Sequence, residues 1–151
     1  MKKVAYSAFY LFFPLVVGSL VGFFISKSID YSILQKPPFA PPAIIFPIIW
    51  TLIYLFMGIS YYLLTKKIDY RPIEKIVYYA QLVVNLLWPI FFFTLKWRLF
   101  SILWIFLLLY LVVSMIRTFY MNSKVSAYLN LPYLLWIVFA TYLTIGIYLL
   151  N

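Results

Sequence analysis

Leu34-Gln-Lys-Pro-Pro-Phe-Ala-Pro-Pro-Ala-Ile-Ile-Phe-Pro-Ile-Ile-Trp50 packs five of the chain's nine prolines into one polar-to-apolar transition. Proline fixes its own φ and pushes the residue before it toward extended backbone. The stretch therefore reads as a stiff, non-helical cover that runs directly into an apolar helix. A rigid cover on a helical bundle implies that the bundle encloses something.

The surrounding composition places that bundle in a membrane. The 151 residues are 67% hydrophobic, 23% aromatic and only 10% charged, with a mean hydropathy of +1.04. A soluble domain of this size needs more surface polarity than that. A span takes about 20 apolar residues, so the length accommodates five helices and no separate soluble domain. Apolar segments fall at about 4–25, 43–65, 73–95, 99–120 and 126–150. The first is too long for a signal-peptide core and lacks a small-residue cleavage site, so it reads as a span. The expected fold is an all-α integral membrane bundle of five transmembrane helices, a single domain over 1–151, with the proline-rich first loop as a lid.

The net charge of +9 does not point to nucleic acid. The charges sit at the N-terminus, at helix ends and in loops, the pattern of topology signals and snorkelling anchors. Lys2, Lys3, Lys66, Lys67, Arg71, Lys75, Arg117 and Lys124 occupy one set of alternate ends. Lys27, Lys36, Lys96 and Arg98 occupy the other. The excess of basic residues predicts a cytoplasmic N-terminus and a lid facing away from the cytoplasm. No cysteine or histidine is present, which removes disulfides, thiolate metal sites and the usual general base. Asp30, Asp69 and Glu74 lie in loops or at helix ends, so no paired carboxylates are placed for acid–base hydrolysis or proton relay.

Proline and glycine add local expectations. Pro41 and Pro42 fit the start of the second helix. Pro89 and Pro132 lie inside spans three and five, where each bends its helix and opens space, or, for Pro132, falls within a turn of the end. Gly18-Ser-Leu-Val-Gly22 is a GxxxG pattern that serves either packing within the chain or contact between copies.

Polar side chains within hydrocarbon are the first place to look for function. Gln81, Asn85 and Trp88 are spaced by four and then three, on one helix face. The amides either bind the polar edge of a ligand beside an indole or tie helices together. Trp136, Ala140, Leu143 and Thr144 share a face of the fifth span, with Phe139 alongside, and small Ala140 leaves room among large neighbours. Trp50 and Tyr54 lie one turn apart on the second span. Trp104 is open to more than one reading, and Trp97 between Lys96 and Arg98 reads as an interfacial-belt residue. These residues form a pocket of indoles, phenols and amides roofed by prolines. It suits a large planar apolar molecule with a few polar edges: a tetrapyrrole, a sterol or a polycyclic aromatic. Axial haem ligation would need Tyr or Met here, so a metal-free porphyrin fits better. No cofactor or metal is required.

The chain resembles the TspO/translocator protein family, the tryptophan-rich sensory proteins that include the peripheral benzodiazepine receptor. The resemblance rests on Leu34-Gln-Lys-Pro with Pro41-Pro42, on Trp50-x-x-x-Tyr54-x-x-Met57-Gly58, on Gln81-x-x-x-Asn85-x-x-Trp88-Pro-x-Phe-Phe and on Leu131-Pro-Tyr-x-x-Trp136-x-x-Phe139-Ala-Thr, in that order. It implies a five-helix bundle, usually a homodimer, in a bacterial cell membrane. It further implies a receptor for porphyrins such as protoporphyrin IX and for benzodiazepine-type ligands, with tetrapyrrole transport or turnover as a wider role. Ligands would sit under the first loop against Trp50, Asn85, Trp88, Trp136 and Ala140, with Leu143 close by. Phe100 stands where the family carries a fourth-span Trp, and Trp104 where it carries an Asp. Within the lid of Pro37, Phe39, Pro41 and Pro42, Phe39 replaces a family Trp. Asp30 and Thr144 replace a Trp and an Asn. Phenylalanine stacks but has no indole N–H and is harder to oxidise, so binding is expected to survive these changes better than photochemistry. The C-terminal sterol pattern lacks its basic residue at Tyr148-Leu-Leu-Asn151. A light-dependent porphyrin-degrading enzyme and a transporter of small lipophilic compounds are the alternatives. Against the transporter stand the lack of an inverted repeat and of a coupling-ion carboxylate.

Overall fold

The computed structural model describes residues 2–151, with side chains from residue 9 onward. The side chains of Lys2 and Lys3, counted in the charge asymmetry, lie outside those described. The described chain is all helical. α1 spans Lys2–Ile25 and ends in a 3-10 turn over Ser26–Ser28, and α2 spans Ile45–Thr65. α3 spans Pro72–Pro89 and continues as a π-helical turn over Ile90–Thr94, while α4 spans Arg98–Tyr120. A short α5, Lys124–Tyr128, precedes α6, Leu131–Leu150. Five stretches are long and apolar enough to cross a membrane: Phe9–Ser28, Ile45–Thr65, Pro72–Thr94, Arg98–Tyr120 and Lys124–Leu150. The chain is a multi-pass integral membrane protein.

Three local departures from the expected pattern have proline or asparagine causes. α2 starts at Ile45, because Pro42 and Ala43 first make a turn, their carbonyls accepting from the amides of Ile45 and Phe46. Pro89 has no N–H to offer the carbonyl four residues back. The helix answers by widening, and the Leu95 amide donates to the Ile90 carbonyl five residues earlier at 2.9 Å. The fifth span is broken at Leu129–Asn130, and Pro132 sits in the first turn of α6, where its missing N–H costs nothing. Asn130 repairs that break by donating to Ser60 Oγ at 2.6 Å and to the Ser126 carbonyl at 2.9 Å.

α1 packs on α2, α3 on α4, and α4 on α6. The fully buried core is built from Met57, Tyr61, Leu64, Tyr78, Leu82, Ile105, Val112, Met115, Phe119 and Ile137. Tyr61 and Tyr78 stack face to face at 3.8 Å. At the same end of the bundle Glu74 is buried. It accepts from the Arg71 amide at 2.9 Å and from Asn122 Nδ2 at 3.2 Å, clasping the second loop to the segment after α4.

The opposite end is closed by the first loop. Asp30 pairs with Arg98 at 2.9 Å and with Lys96 at 3.6 Å. The Gln35 amide donates to Asn151 Oδ1 at 3.0 Å, and Asn151 Nδ2 donates back to the Gln35 carbonyl at 2.9 Å. Tyr142 donates to the Pro38 carbonyl at 2.9 Å, and the Pro37 ring lies where a Cβ on Gly146 would stand. Tyr31 donates to the Pro41 carbonyl at 2.8 Å across the loop. Burial pushes its phenol above the ordinary value, so it remains a donor through neutral pH.

Candidate functional site

Beneath the loop lies a cavity of about 430 Å3, within the range of small-molecule pockets. α1 contributes Leu15, Gly18, Ser19 and Gly22; α2 contributes Phe46, Pro47, Trp50, Thr51 and Tyr54. α3 and the π turn contribute Asn85, Trp88, Phe92 and Phe93, and α6 contributes Trp136, Ala140, Leu143, Thr144 and Ile147. Ile29, Tyr31 and Ala43 close the top. The widened turn after Pro89 carries Phe92 and Phe93 in this wall. Phe92 already shares the face of Asn85 and Trp88 at i+7 and i+4, and the extra residue in the turn lets its neighbour Phe93 line the wall as well.

The wall is aromatic and internally braced. Trp50 stacks on Tyr54 at 5.5 Å, and Trp88 on Phe92 at 5.1 Å. Phe46 meets Trp136 edge-on at 5.7 Å and Tyr31 at 4.9 Å. Such pairs hold the rings as flat panels. One polar chain runs behind them. Tyr54 donates to Asn85 Oδ1 at 2.8 Å, and Asn85 Nδ2 donates to the Tyr133 oxygen at 2.7 Å. Tyr133 donates to Gln81 Oε1 at 2.8 Å, and Gln81 Nε2 reaches Met57 Sδ at 3.3 Å. Asn85 keeps one amide hydrogen for the cavity, and Gln81 keeps no face on it. The indole nitrogens of Trp88 and Trp136 are buried without a partner. Each unmet donor costs about 1–3 kcal/mol, and both rings flank the cavity.

The structure brings Trp50, Tyr54, Asn85, Trp88, Trp136, Ala140 and Leu143 together and leaves three other predicted residues outside. Gln81 lies a turn from Asn85, tying α2, α3 and α6 in the manner of interhelical glue. Phe139 faces a separate shallow groove between α2 and α6, alongside Ile49, Leu52 and Pro132. Phe100 lies on the outer side of α4, packed on Phe91 and Trp104, and α4 lends the cavity nothing. Trp104 donates to the Val84 carbonyl at 2.8 Å, a helix-to-helix tie. Within the lid, Pro37 is anchored on α6, and Phe39 is 91% exposed with a φ of 63°. Phe39 points away from the cavity, and Pro41 and Pro42 brace the loop without lining it.

Several lining residues escaped the sequence reading. Tyr31 lies just before the proline-rich stretch, Phe46 and Pro47 lie at its end, and Thr51 lies one turn beyond Pro47. Gly18 and Gly22 were legible as small but not as cavity-facing. A Cβ on Gly18 would run into the Tyr54 ring, whereas one on Gly22 meets nothing within 4 Å. Of the GxxxG pair, Gly18 is used inside the chain to seat the Tyr54 ring, and Gly22 is exposed beside open space.

The fold is that of a multi-pass membrane protein of five long apolar helices, with an aromatic-lined cavity beneath a pinned first loop. The TspO/MBR family model matches residues 10–150. The chain is 38% identical over 140 residues to the tryptophan-rich protein TspO of Archaeoglobus fulgidus, covering 91% of each chain. It is 33% identical over 145 residues to the translocator protein homolog of Schizosaccharomyces pombe, covering 91% of this chain and 87% of that one. It is 32% identical over 114 residues to the translocator protein of Bos taurus, covering 73% and 68%. The chain belongs to the TspO/MBR family.

Proposed function

We propose that the chain is a membrane receptor for planar aromatic ligands of the porphyrin type, protoporphyrin IX among them, and for benzodiazepine-type compounds. The observation that carries this reading is the cavity itself, walled by Trp50, Trp88, Trp136, Tyr31 and Phe46. Flat panels with little polarity suit a flat apolar ring system, and Asn85 supplies a donor for a polar edge. The orientation that goes with this reading has the N-terminus in the cytoplasm and the lid on the far side. A second copy would meet this one through outward apolar faces, and Gly18 is not free for that contact because the Tyr54 ring is seated on it.

The test is a titration of the reconstituted protein with protoporphyrin IX, followed by intrinsic tryptophan fluorescence. Saturable quenching is expected. Ala140→Phe, which fills the cavity from α6, should weaken binding at least tenfold, or about 1.4 kcal/mol, with helix content unchanged. Unaltered affinity in that variant would move the ligand elsewhere.

A further inference from the structure

The cavity is unequally closed. Its loop end is held by the Asp30–Arg98 pair, the reciprocal Gln35–Asn151 bonds, the Tyr142–Pro38 bond and the seat of Pro37 on Gly146. Its α6 wall is equally tight: Ala140, Leu143, Thr144 and Ile147 are all buried. The exposed lining residues fall instead along one line. Ser19 and Gly22 on α1 and Pro47 and Thr51 on α2 are exposed, with Ile29 and Ala43 at the top of the same seam.

Those helix positions lie within the candidate spans Phe9–Ser28 and Ile45–Thr65. At 1.5 Å of rise per residue, Thr51 lies about 9 Å below the start of α2. Ser19 lies equally far inside the end of α1, so the seam runs from the level of the loop at Pro47 and Gly22 down to hydrocarbon depth at Ser19 and Thr51. Its side chains are small or self-satisfied. Gly22 has open space where a Cβ would stand, and Thr51 donates to the Pro47 carbonyl at 2.7 Å, presenting carbon outward.

We propose that the α1–α2 seam at Ser19, Gly22, Pro47 and Thr51 is the port through which ligand passes sideways between the bilayer and the cavity. The ligand class is thereby restricted to planar molecules already dissolved in the membrane. The pinned loop is a fixed roof, and ligand reaches the cavity without passing through it. This inference rests on the receptor reading, since it concerns access to the same cavity.

The experiment uses the full chain in phosphatidylcholine vesicles, with protoporphyrin IX as probe. Association is followed by stopped-flow tryptophan quenching, and dissociation by transfer to empty vesicles. Gly22→Leu places its side chain in open space, so it should fold as the parent does. It should slow association and dissociation together by at least tenfold. Bridging Gln35→Cys to Asn151→Cys locks the roof in a chain without other cysteines, and should leave both rates within twofold. The association rate should also follow the ligand-to-lipid ratio and not the aqueous concentration. Slowing by the locked roof with no effect of Gly22→Leu overturns the port. If Gly22→Leu abolishes binding, a cross-link between Ser19→Cys and Thr51→Cys, made after loading, decides. Trapped ligand supports the port and release at the parental rate overturns it. Failure of the parent to quench saturably overturns the receptor reading, and the port with it. Saturable quenching with the reversed rate pattern overturns the port alone.

Discussion

Tyr133 contributes nothing to the cavity surface, yet its phenol holds together the two amides behind it. It accepts from Asn85 at 2.7 Å and donates to Gln81 at 2.8 Å. Tyr133→Phe keeps the ring and strands both partners in a buried setting, at a cost of about 1–3 kcal/mol. Thermal unfolding in detergent should show that loss, while protoporphyrin IX affinity falls less than in Ala140→Phe. An affinity loss without a stability loss would instead make Tyr133 a ligand contact. The contrast shows what helical spacing conveys. A period of 3.6 assigns a face, so the pairs Asn85 with Trp88 and Trp136 with Ala140 were legible as sharing one, and both line the cavity with Trp50. It does not assign depth or the neighbouring helix. Gln81 shares the face of Asn85 but lies a turn away, where α6 presents Tyr133 and not space. Phe139, three residues from Trp136, turns into the groove beside α2.

At the scale of elements, hydropathy set the five spans to within a few residues, because burial in lipid demands length and apolarity alone. The break at Asn130 and the widened turn after Pro89 were less visible. Each depends on a few hydrogen bonds with no signature in mean hydropathy. The first loop combines both cases: its prolines announced a stiff cover, but its attachments come from Asp30, Gln35 and the Pro38 carbonyl, far in sequence from their partners Arg98, Asn151 and Tyr142, while Tyr31 braces it internally. Tyr31 gives the loop a pH dependence of definite sign. Its phenol is raised by burial, so the folded chain holds that proton more tightly than the unfolded one. The stabilisation is complete below the unfolded value near 10 and declines as pH rises through the higher folded value. Thermal unfolding of the parent and Tyr31→Phe should therefore differ by about 0.5–1.5 kcal/mol at pH 8. The difference should shrink above about pH 10. A gap that widens in alkali would mean that Tyr31 is held as phenolate.

For the molecule as a whole, odd-numbered passes bring the first loop, the Lys96–Arg98 turn and Asn151 to one end. Asp30 and Gln35 stitch those three segments together. That end holds Lys27, Lys36, Lys96 and Arg98, two of which are engaged by Asp30. The other end holds Lys66, Lys67, Arg71, Lys75, Arg117 and Lys124 within the described side chains, with Arg71 engaged by Glu74. On the proposed orientation the more basic end faces the cytoplasm, and that direction decides which leaflet the α1–α2 seam meets. The seam opens in the half of the bundle beneath the loop, so a loop facing away from the cytoplasm draws ligand from the outer leaflet. The chain has no cysteine, so single-cysteine labelling carries no background. Phe39→Cys in the loop and Ile68→Cys in the turn after α2 both stand fully in solvent, at 91% and 102% relative exposure. In intact expressing cells a membrane-impermeant maleimide should modify Phe39→Cys and spare Ile68→Cys, which reacts only after permeabilisation. Inverted vesicles should reverse the pattern. Labelling of Ile68→Cys alone in intact cells would invert the molecule, placing the seam in the cytoplasmic leaflet and making that leaflet the ligand's source.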